Sequence, residues 1–394
     1  MKLLFVNNIP FNPIAGGIER VTDVLAKELI KRGHRVYYLC AKIDASGQCL
    51  LNYDYPAKLY QLPYDGLFEN EQNVAFYKKL QAELQIDVVV NQRGHIGSFN
   101  NLLPHTFVKL VSVIHSTPDK CWAMFINESL DSKDSLCVKI KKSIKRIFPS
   151  LVTYYWKQII KNRYRELARY SDIIVTLSKK DIKKVENFLT HNLCKAKIHS
   201  IPNLNTYNVT GLQLQYKEKI VLYVGRLDKI EKNPIRLLKI WGKLYDKNPD
   251  WRLVFVGDGG EKENMLAFVK EHQLNNVSFM GNKGDVSEYY KKASFICLTS
   301  NYEGWGMVLT EGMQYGCIPF TFNNYGAAYE IIDDGINGCL IPAYNLKKYA
   351  SRLSELMSNE ERRYRMSVAA IEKVKIFSSE IIADKWDMLF RSLL

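Results

Sequence analysis

The feature that most limits what this chain can fold into lies in its first forty residues. Leu3 to Asn7 is an apolar run of strand length. A glycine pair follows, Gly16-Gly17, and then IERVTDVLAKELIKRG, which sets Ile18, Val21, Val24, Leu25 and Leu29 on one helical face with Gly33 as its stop. RVYYLC (35–40) is a second apolar run. Strand, glycine turn, helix, strand is a βαβ unit, and its crossover makes the two strands parallel. Parallel sheets need helices on both faces, so the rest of the chain must keep alternating. It does: apolar runs recur at DVVVN (87–91), KLVSVIH (109–115) and DIIVTLS (172–178), with helical stretches between some of them.

The alternation pauses near Ile201-Pro202-Asn203, and NLNTYNVTGLQLQYKEK is polar without a helical period, as a linker is. A second α/β series begins at KIVLYVGRL (219–227) and runs through WRLVFVGDG (251–259), VSFMG (277–281), FICLTS (295–300) and CIPFTF (317–322). At 394 residues two domains are expected, because single cores rarely grow past about 250–300 residues. The reading is therefore α/β: two Rossmann-like doubly wound domains in tandem. The boundaries fall at 1–205 for an N-terminal domain and 206–375 for a C-terminal one, with a C-terminal helix in 376–394 packing back on the first. In such sheets ligands sit at the carboxyl ends of the strands.

Composition removes several classes. No apolar run approaches the roughly 20 residues of a membrane span, and MKLLFVNNIPFN reads as a first strand, not a signal peptide. The eight cysteines form no CxxC pair or zinc-like cluster and read as buried thiols of a cytoplasmic protein. The net charge of +14 is uneven: residues 1–200 carry +12 and residues 201–394 carry +2. Within 125–165, which matches no pattern elsewhere, Lys139 to Arg165 holds nine basic residues and no acid, with Ile140, Ile144, Ile147 and Leu151 at helical spacing and Phe148, Tyr154, Tyr155 and Trp156 interleaved. Such a stretch suits an anionic bilayer surface; a solvated helix pair covering the domain's own core is the alternative. Nucleic acid is disfavoured, since no nucleic-acid motif accompanies the charge.

Three stretches carry chemistry. The Gly16-Gly17 turn lets backbone approach a ligand at a helix start, where free amides favour an anion; the dinucleotide fingerprint G-x-G-x-x-G is absent, and an ordinary tight turn explains the pair as well. In YVGRLDKIEKN (223–233), Arg226 and Lys232 follow a strand end and can neutralise a diphosphate, although surface cations are common. NYEGWGMVLTEGMQYGCIP (301–319) is the strongest: Glu303 precedes a helix, Gly304, Trp305 and Gly306 bring backbone amides to its start, and Glu311 stands in its second turn. Amides there suit phosphate or sugar oxygens, while carboxylates accept from vicinal hydroxyls.

Glu303-Gly-Trp-Gly with Glu311 resembles the paired-glutamate motif of retaining GT-B glycosyltransferases of family 4, of the bacterial glycolipid and polysaccharide type. GGIERVTDVLAKELIKRGHRV, IPN (201–203), VGRLDKIEKN, VGDGGE, VSFMG and DDGINGCLIP fall in that family's order, so the likeness spans nearly the whole chain. It implies two domains facing an interdomain cleft and a nucleotide-sugar donor, UDP-hexose (galactose or glucose) first, with GDP-mannose and N-acetylhexosamine donors open. It implies Glu311 on the ribose, Glu303 and the amides of Gly304 to Gly306 at the sugar, Arg226 and Lys232 on the diphosphate, Gly17 closing over it, and His115 of VIHSTP near the reacting sugar. No cofactor and no metal are implied, and no DxD motif is present. Trp305 departs from a position that is often Phe or Leu. The basic half favours a lipid or lipid-linked glycan acceptor at the inner face of the membrane, with the protein peripheral there. Other readings are a sugar-nucleotide epimerase, a phosphorylase, for which supporting motifs are missing, and a basic nucleic-acid-binding protein.

Overall fold

A computed structural model describes residues 1–13, 16–41, 55–64, 70–94, 102–119, 149–189, 196–207, 209, 214 and 217–394. Residues 125–148 of the basic stretch lie outside these. The chain divides into two compact units, one of Met1–Leu204 with Ser379–Leu394 and one of Asn205–Ser378.

The first unit holds strands β1 (Lys2–Asn7), β2 (Arg35–Cys40), β3 (Lys58–Gln61), β4 (Val88–Asn91), β5 (Lys109–Ile114), β6 (Ile173–Thr176) and β7 (Lys197–Ser200), in the order β3-β2-β1-β4-β5-β6-β7. Every neighbouring pair is parallel; Leu3, for example, stands beside Val36 on one side and Val88 on the other. Val88, Val89 and Val90 are all at 0% exposure, the signature of a strand covered on both faces. The strand order reverses between β1 and β4, which makes the carboxyl ends of those strands the natural ligand position in this unit.

The helix Gly17–Lys31 differs from its sequence reading. Besides Val21, Leu25 and Leu29 it buries Glu19, Thr22, Asp23 and Glu28. The C-terminal helix Ser379–Arg391 packs against it, and a helix covered on two sides must bury part of its polar face. Ion pairs dress that contact: Arg32 lies 2.8 Å from Asp384, and His34 Nε2 lies 2.7 Å from Asp387 Oδ1. Burial pushes the His34 pKa down, and the Asp387 contact opposes this without reversing it.

The helix Pro149–Tyr170 carries the described half of the basic stretch. Ile160, Tyr164 and Leu167 are buried in the core; Tyr164 stacks on Phe188 at 5.2 Å and its hydroxyl donates to the Pro118 carbonyl at 3.1 Å. This helix therefore covers its own domain with one face. Tyr154 and Tyr155 stand outside that face, each 64% exposed.

The second unit holds β8 (Glu218–Val224), β9 (Arg252–Val256), β10 (Val277–Phe279), β11 (Ala293–Cys297), β12 (Ile318–Phe322) and β13 (Cys339–Ile341), all parallel, in the order β10-β9-β8-β11-β12-β13. The reversal falls between β8 and β11. The loops leaving β8 and β9 touch backbone to backbone: Gly225 N donates to Val256 O at 3.0 Å, and a Cβ on Gly257 would stand 2.0 Å from the Gly225 carbonyl oxygen. Gly257 also has φ of +139°, so no other residue fits there.

Candidate functional site

The switch point of the second unit gathers most of the residues the sequence singled out. Two loops are knitted together there, one after β8 and one after β11. The Asn301 amide donates to Glu231 O at 2.7 Å, its side chain to Ile230 O at 2.8 Å, and Thr299 Oγ1 to Asn233 O at 3.1 Å. Asp228 shapes the first loop by accepting from the Glu231 amide at 2.6 Å. This stitching carries Lys232 to Glu303: Nζ donates to Oε1 at 2.6 Å, and Ser300 Oγ donates to the same oxygen at 2.7 Å. The pair is largely removed from water, with side-chain exposures of 22% and 7%.

Arg226 is placed differently. It lies on the same loop but points outward, 67% exposed, with Nη2 2.7 Å from Glu231 Oε2. Both cations are thus balanced by carboxylates within the protein. Each still has donors to spare, since an arginine has five and a lysine three.

After Glu303 the chain passes Gly304 and Trp305 to Gly306, the cap of the helix Met307–Gln314. Gly306 has φ of +87°, and a Cβ there would approach the Tyr325 hydroxyl to 3.1 Å. Left-handed backbone and a close neighbour both require glycine. The Trp305 indole turns inward. It is 2% exposed and meets Phe377 edge-on at 5.0 Å, so its ring is core and only its main chain remains near the helix start.

Glu311 is held from two sides, with Tyr290 OH donating to Oε2 at 2.9 Å and Thr206 Oγ1 to Oε1 at 3.1 Å. Burial pushes the Tyr290 pKa up, and the Glu311 carboxylate adds to this, so the phenol stays protonated and donates. A carboxylate has about four acceptor sites, so these contacts do not exhaust it.

The first unit has its own cluster at the ends of β1, β4 and β5. Arg93 Nε donates to Asn7 Oδ1 at 2.6 Å and Nη2 to Glu19 Oε1 at 3.1 Å, while Asn7 Nδ2 donates to Glu19 Oε1 at 3.0 Å. Glu19 Oε2 also explains Gly16, where a Cβ would stand 2.6 Å from it. Gly17 opens the helix. His115 follows β5, and its Nε2 lies 2.5 Å from Gln92 Oε1. Burial, with Arg93 nearby, pushes its pKa down to about 3.

Sequence reasoning missed Asn7, Glu19, Gln92 and Arg93 here, and Thr206, Glu231, Tyr290 and Ser300 in the second unit. Among the described residues no group of three or more His, Cys, Asp or Glu could hold a metal ion, and no helix is long and apolar enough to cross a membrane.

Comparison with known proteins fits this geometry. The family described as Glycosyltransferase Family 4 matches residues 15–204, and Glycosyl transferases group 1 matches residues 210–373. An uncharacterized glycosyltransferase of Haemophilus influenzae is 27% identical over 384 residues, covering 94% of this chain and 95% of that protein. A Campylobacter jejuni α-1,4-N-acetyl-D-galactosaminyltransferase, whose name gives a diphospho-undecaprenol-linked glycan as substrate, is 31% identical over 172 residues, covering 43% of this chain and 47% of its own. Anabaena HepE, solved with UDP and glucose, superposes with a TM-score of 0.71 at 17% identity over 100% of both chains. The two matched families account for both units of the chain, which has the GT-B fold and belongs to the group 1 glycosyltransferases of the family 4 type.

Proposed function

We propose that this glycosyltransferase moves a hexose, galactose or glucose, from a UDP-sugar to a lipid or lipid-linked glycan acceptor, with retention of the anomeric configuration and an α-linked product. One observation carries the donor half of this reading: the second unit sets Arg226, Lys232 and Glu303 at the carboxyl ends of β8 and β11, where the strand order reverses, with Glu311 on the helix that follows. That is where doubly wound sheets bind ligands. The names of relatives support the rest: HepE was solved with UDP and glucose, and the Campylobacter enzyme acts on an undecaprenol-linked glycan.

In this reading Glu311 accepts from the ribose hydroxyls, with Tyr290 and Thr206 fixing its carboxylate. Glu303, aligned by Lys232 and Ser300 through Oε1, accepts from a sugar hydroxyl with Oε2. As the bond to the anomeric carbon breaks, negative charge builds on the departing diphosphate and positive charge on an oxocarbenium-like ring. The remaining N–H donors of Arg226 and Lys232, with the amides at Gly304 to Gly306, stabilise the diphosphate, so the step draws on no metal ion. The acceptor hydroxyl attacks from the face the diphosphate leaves, and a phosphate oxygen takes its proton. Gly16 and Gly17 offer backbone to the donor, and His115 contacts the reacting sugar as a neutral group. Membrane contact through the 139–165 stretch, at the inner face, would bring a lipid acceptor within reach; the exposed Tyr154 and Tyr155 support it.

The test is a thermal-shift screen against UDP-, GDP- and ADP-sugars. It is followed by transfer to polyprenyl-diphosphate glycans and glycerolipids, with the product's anomeric configuration read by NMR. UDP-hexose stabilisation and an α-linked lipid product are expected. Interconversion of the donor without any acceptor would make the protein epimerase-like and end the transfer reading.

A further inference from the structure

In the first unit, His115 and Gln92 sit side by side at the carboxyl ends of β5 and β4, with His115 Nε2 2.5 Å from Gln92 Oε1. A carbonyl oxygen only accepts, so Nε2 carries the ring proton. In a neutral imidazole Nδ1 is then a bare lone pair. It is shut away from water and has no protein partner among the described residues. Buried acceptors are almost always matched, and one left open inside a strand-end cluster marks a place for an incoming donor.

Gln92 is well fixed for this task. It is 2% exposed, and its amide donates to Val6 O at 3.0 Å. The next residue, Arg93, is clamped by Asn7 and Glu19 at 2.6 and 3.1 Å. Arg93 after β4 and Glu19 on the helix Gly17–Lys31 are the charged groups of this cluster. The rest of the hollow that His115 lines is uncharged: Val21, Thr22 and Leu25 from that helix, Leu177 after β6, Leu204 after β7 and Trp386 from the C-terminal helix. Among the described residues no carboxylate touches the ring, so none of them draws a second proton onto it.

We propose that Gln92 is a positioning residue: by keeping the proton on Nε2 it presents His115 Nδ1 as a hydrogen-bond acceptor for a sugar hydroxyl. The inference rests on the nucleotide-sugar reading of the site. It makes the histidine a reader of a donated hydroxyl proton, and neither an acid nor a base.

The test has two arms on the full-length protein. Long-range proton–nitrogen spectra of the seven histidines, with His115 assigned by His115→Asn, should show Nε2 protonated and Nδ1 bare from about pH 5 to about pH 8. Kinetically, Gln92→Leu should lower kcat/KM roughly tenfold, the scale of one hydrogen bond. Gln92→Glu should bring a new acid limb into the pH profile, because a carboxylate against Nε2 favours the doubly protonated ring and closes Nδ1. A merely structural glutamine would lower activity equally at every pH. A proton on Nδ1 in the wild type, or a Gln92→Glu profile parallel to wild type, overturns the inference alone. The expected tautomer in a protein that turns over no nucleotide sugar overturns the reading of the site and the hydroxyl role with it.

Discussion

Replacing Lys232 by methionine keeps the length of the side chain and removes its charge. The Glu303 carboxylate, 7% exposed, would then lose its 2.6 Å partner on Oε1 and keep the Ser300 hydroxyl there. Breaking a buried ion pair costs about 3–5 kcal/mol. Here Lys232 keeps 22% exposure and Ser300 remains, so a loss of about 2–3 kcal/mol is expected. For a domain the size of Asn205–Ser378, about 2–4 °C of melting temperature follows each kcal/mol, or roughly 5–10 °C in all. Lys232→Met/Glu303→Gln removes both charges and should recover most of that loss, giving a coupling of about 2 kcal/mol in the double-mutant cycle. Turnover should not follow stability. Both the single and the double variant should fall by about 10²-fold or more, the scale of one lost charge-stabilising donor. Thermal unfolding followed by circular dichroism and a nucleotide-release assay measure the two effects separately. A double variant that regains both stability and activity would show the pair to be structural and refute its catalytic role.

Arg226→Ala gives the opposite pattern, because its pair with Glu231 is 67% exposed on the arginine side: stability within about 1 kcal/mol of wild type, turnover down about 10²-fold. Equal turnover in a kinetic assay removes Arg226 from the diphosphate site. Tyr290→Phe takes a 2.9 Å donor from the buried Glu311 and should cost about 1–3 kcal/mol by denaturant titration; no change would mean the phenol does not hold the carboxylate. His115 supplies an acid-labile term. Its folded pKa of about 3 lies below the unfolded value of about 6.5, so the stability it contributes is whole above that value and falls as pH drops toward 3. His115→Gln should flatten the pH dependence of unfolding over that window, and an unchanged slope would contradict the burial assigned to the ring. Flotation with anionic liposomes at low salt should carry the wild type upward, while Tyr154→Ser/Tyr155→Ser should stay lower in the gradient; wild type left in solution ends the membrane reading.

The alternation of strands and helices in each half was legible because fully buried parallel strands are continuous apolar runs. Arg226, Lys232, Glu303 and Glu311 were legible for a related reason: each lies within a few residues of a strand or helix end, so local pattern places it. Their partners were not. Thr206 is 105 positions from Glu311, and Arg93 is 74 positions from Glu19; only the order of strands in the sheet brings such pairs together. Glu19 falls outside the apolar face that the helical pattern marks. It is buried because Arg93 and Asn7 reach it from two strand ends, and Glu28 because the C-terminal helix lies over that side with Arg32 between. The side chain of Trp305 was not legible either. The pattern placed its main chain at the helix start but not its ring, which the backbone turn at Gly306 sends into the core against Phe377.

The proposed transfer requires a nucleoside diphosphate to bind the second unit through Glu311. Calorimetric titration of UDP into the wild type and Glu311→Gln measures this directly. Saturable binding by the wild type, weakened about 10- to 100-fold in the variant, is the expected result for the loss of hydroxyl contacts to a charged acceptor. A folded wild type that binds neither UDP, GDP nor ADP, or a variant that binds UDP as tightly as wild type, would contradict it.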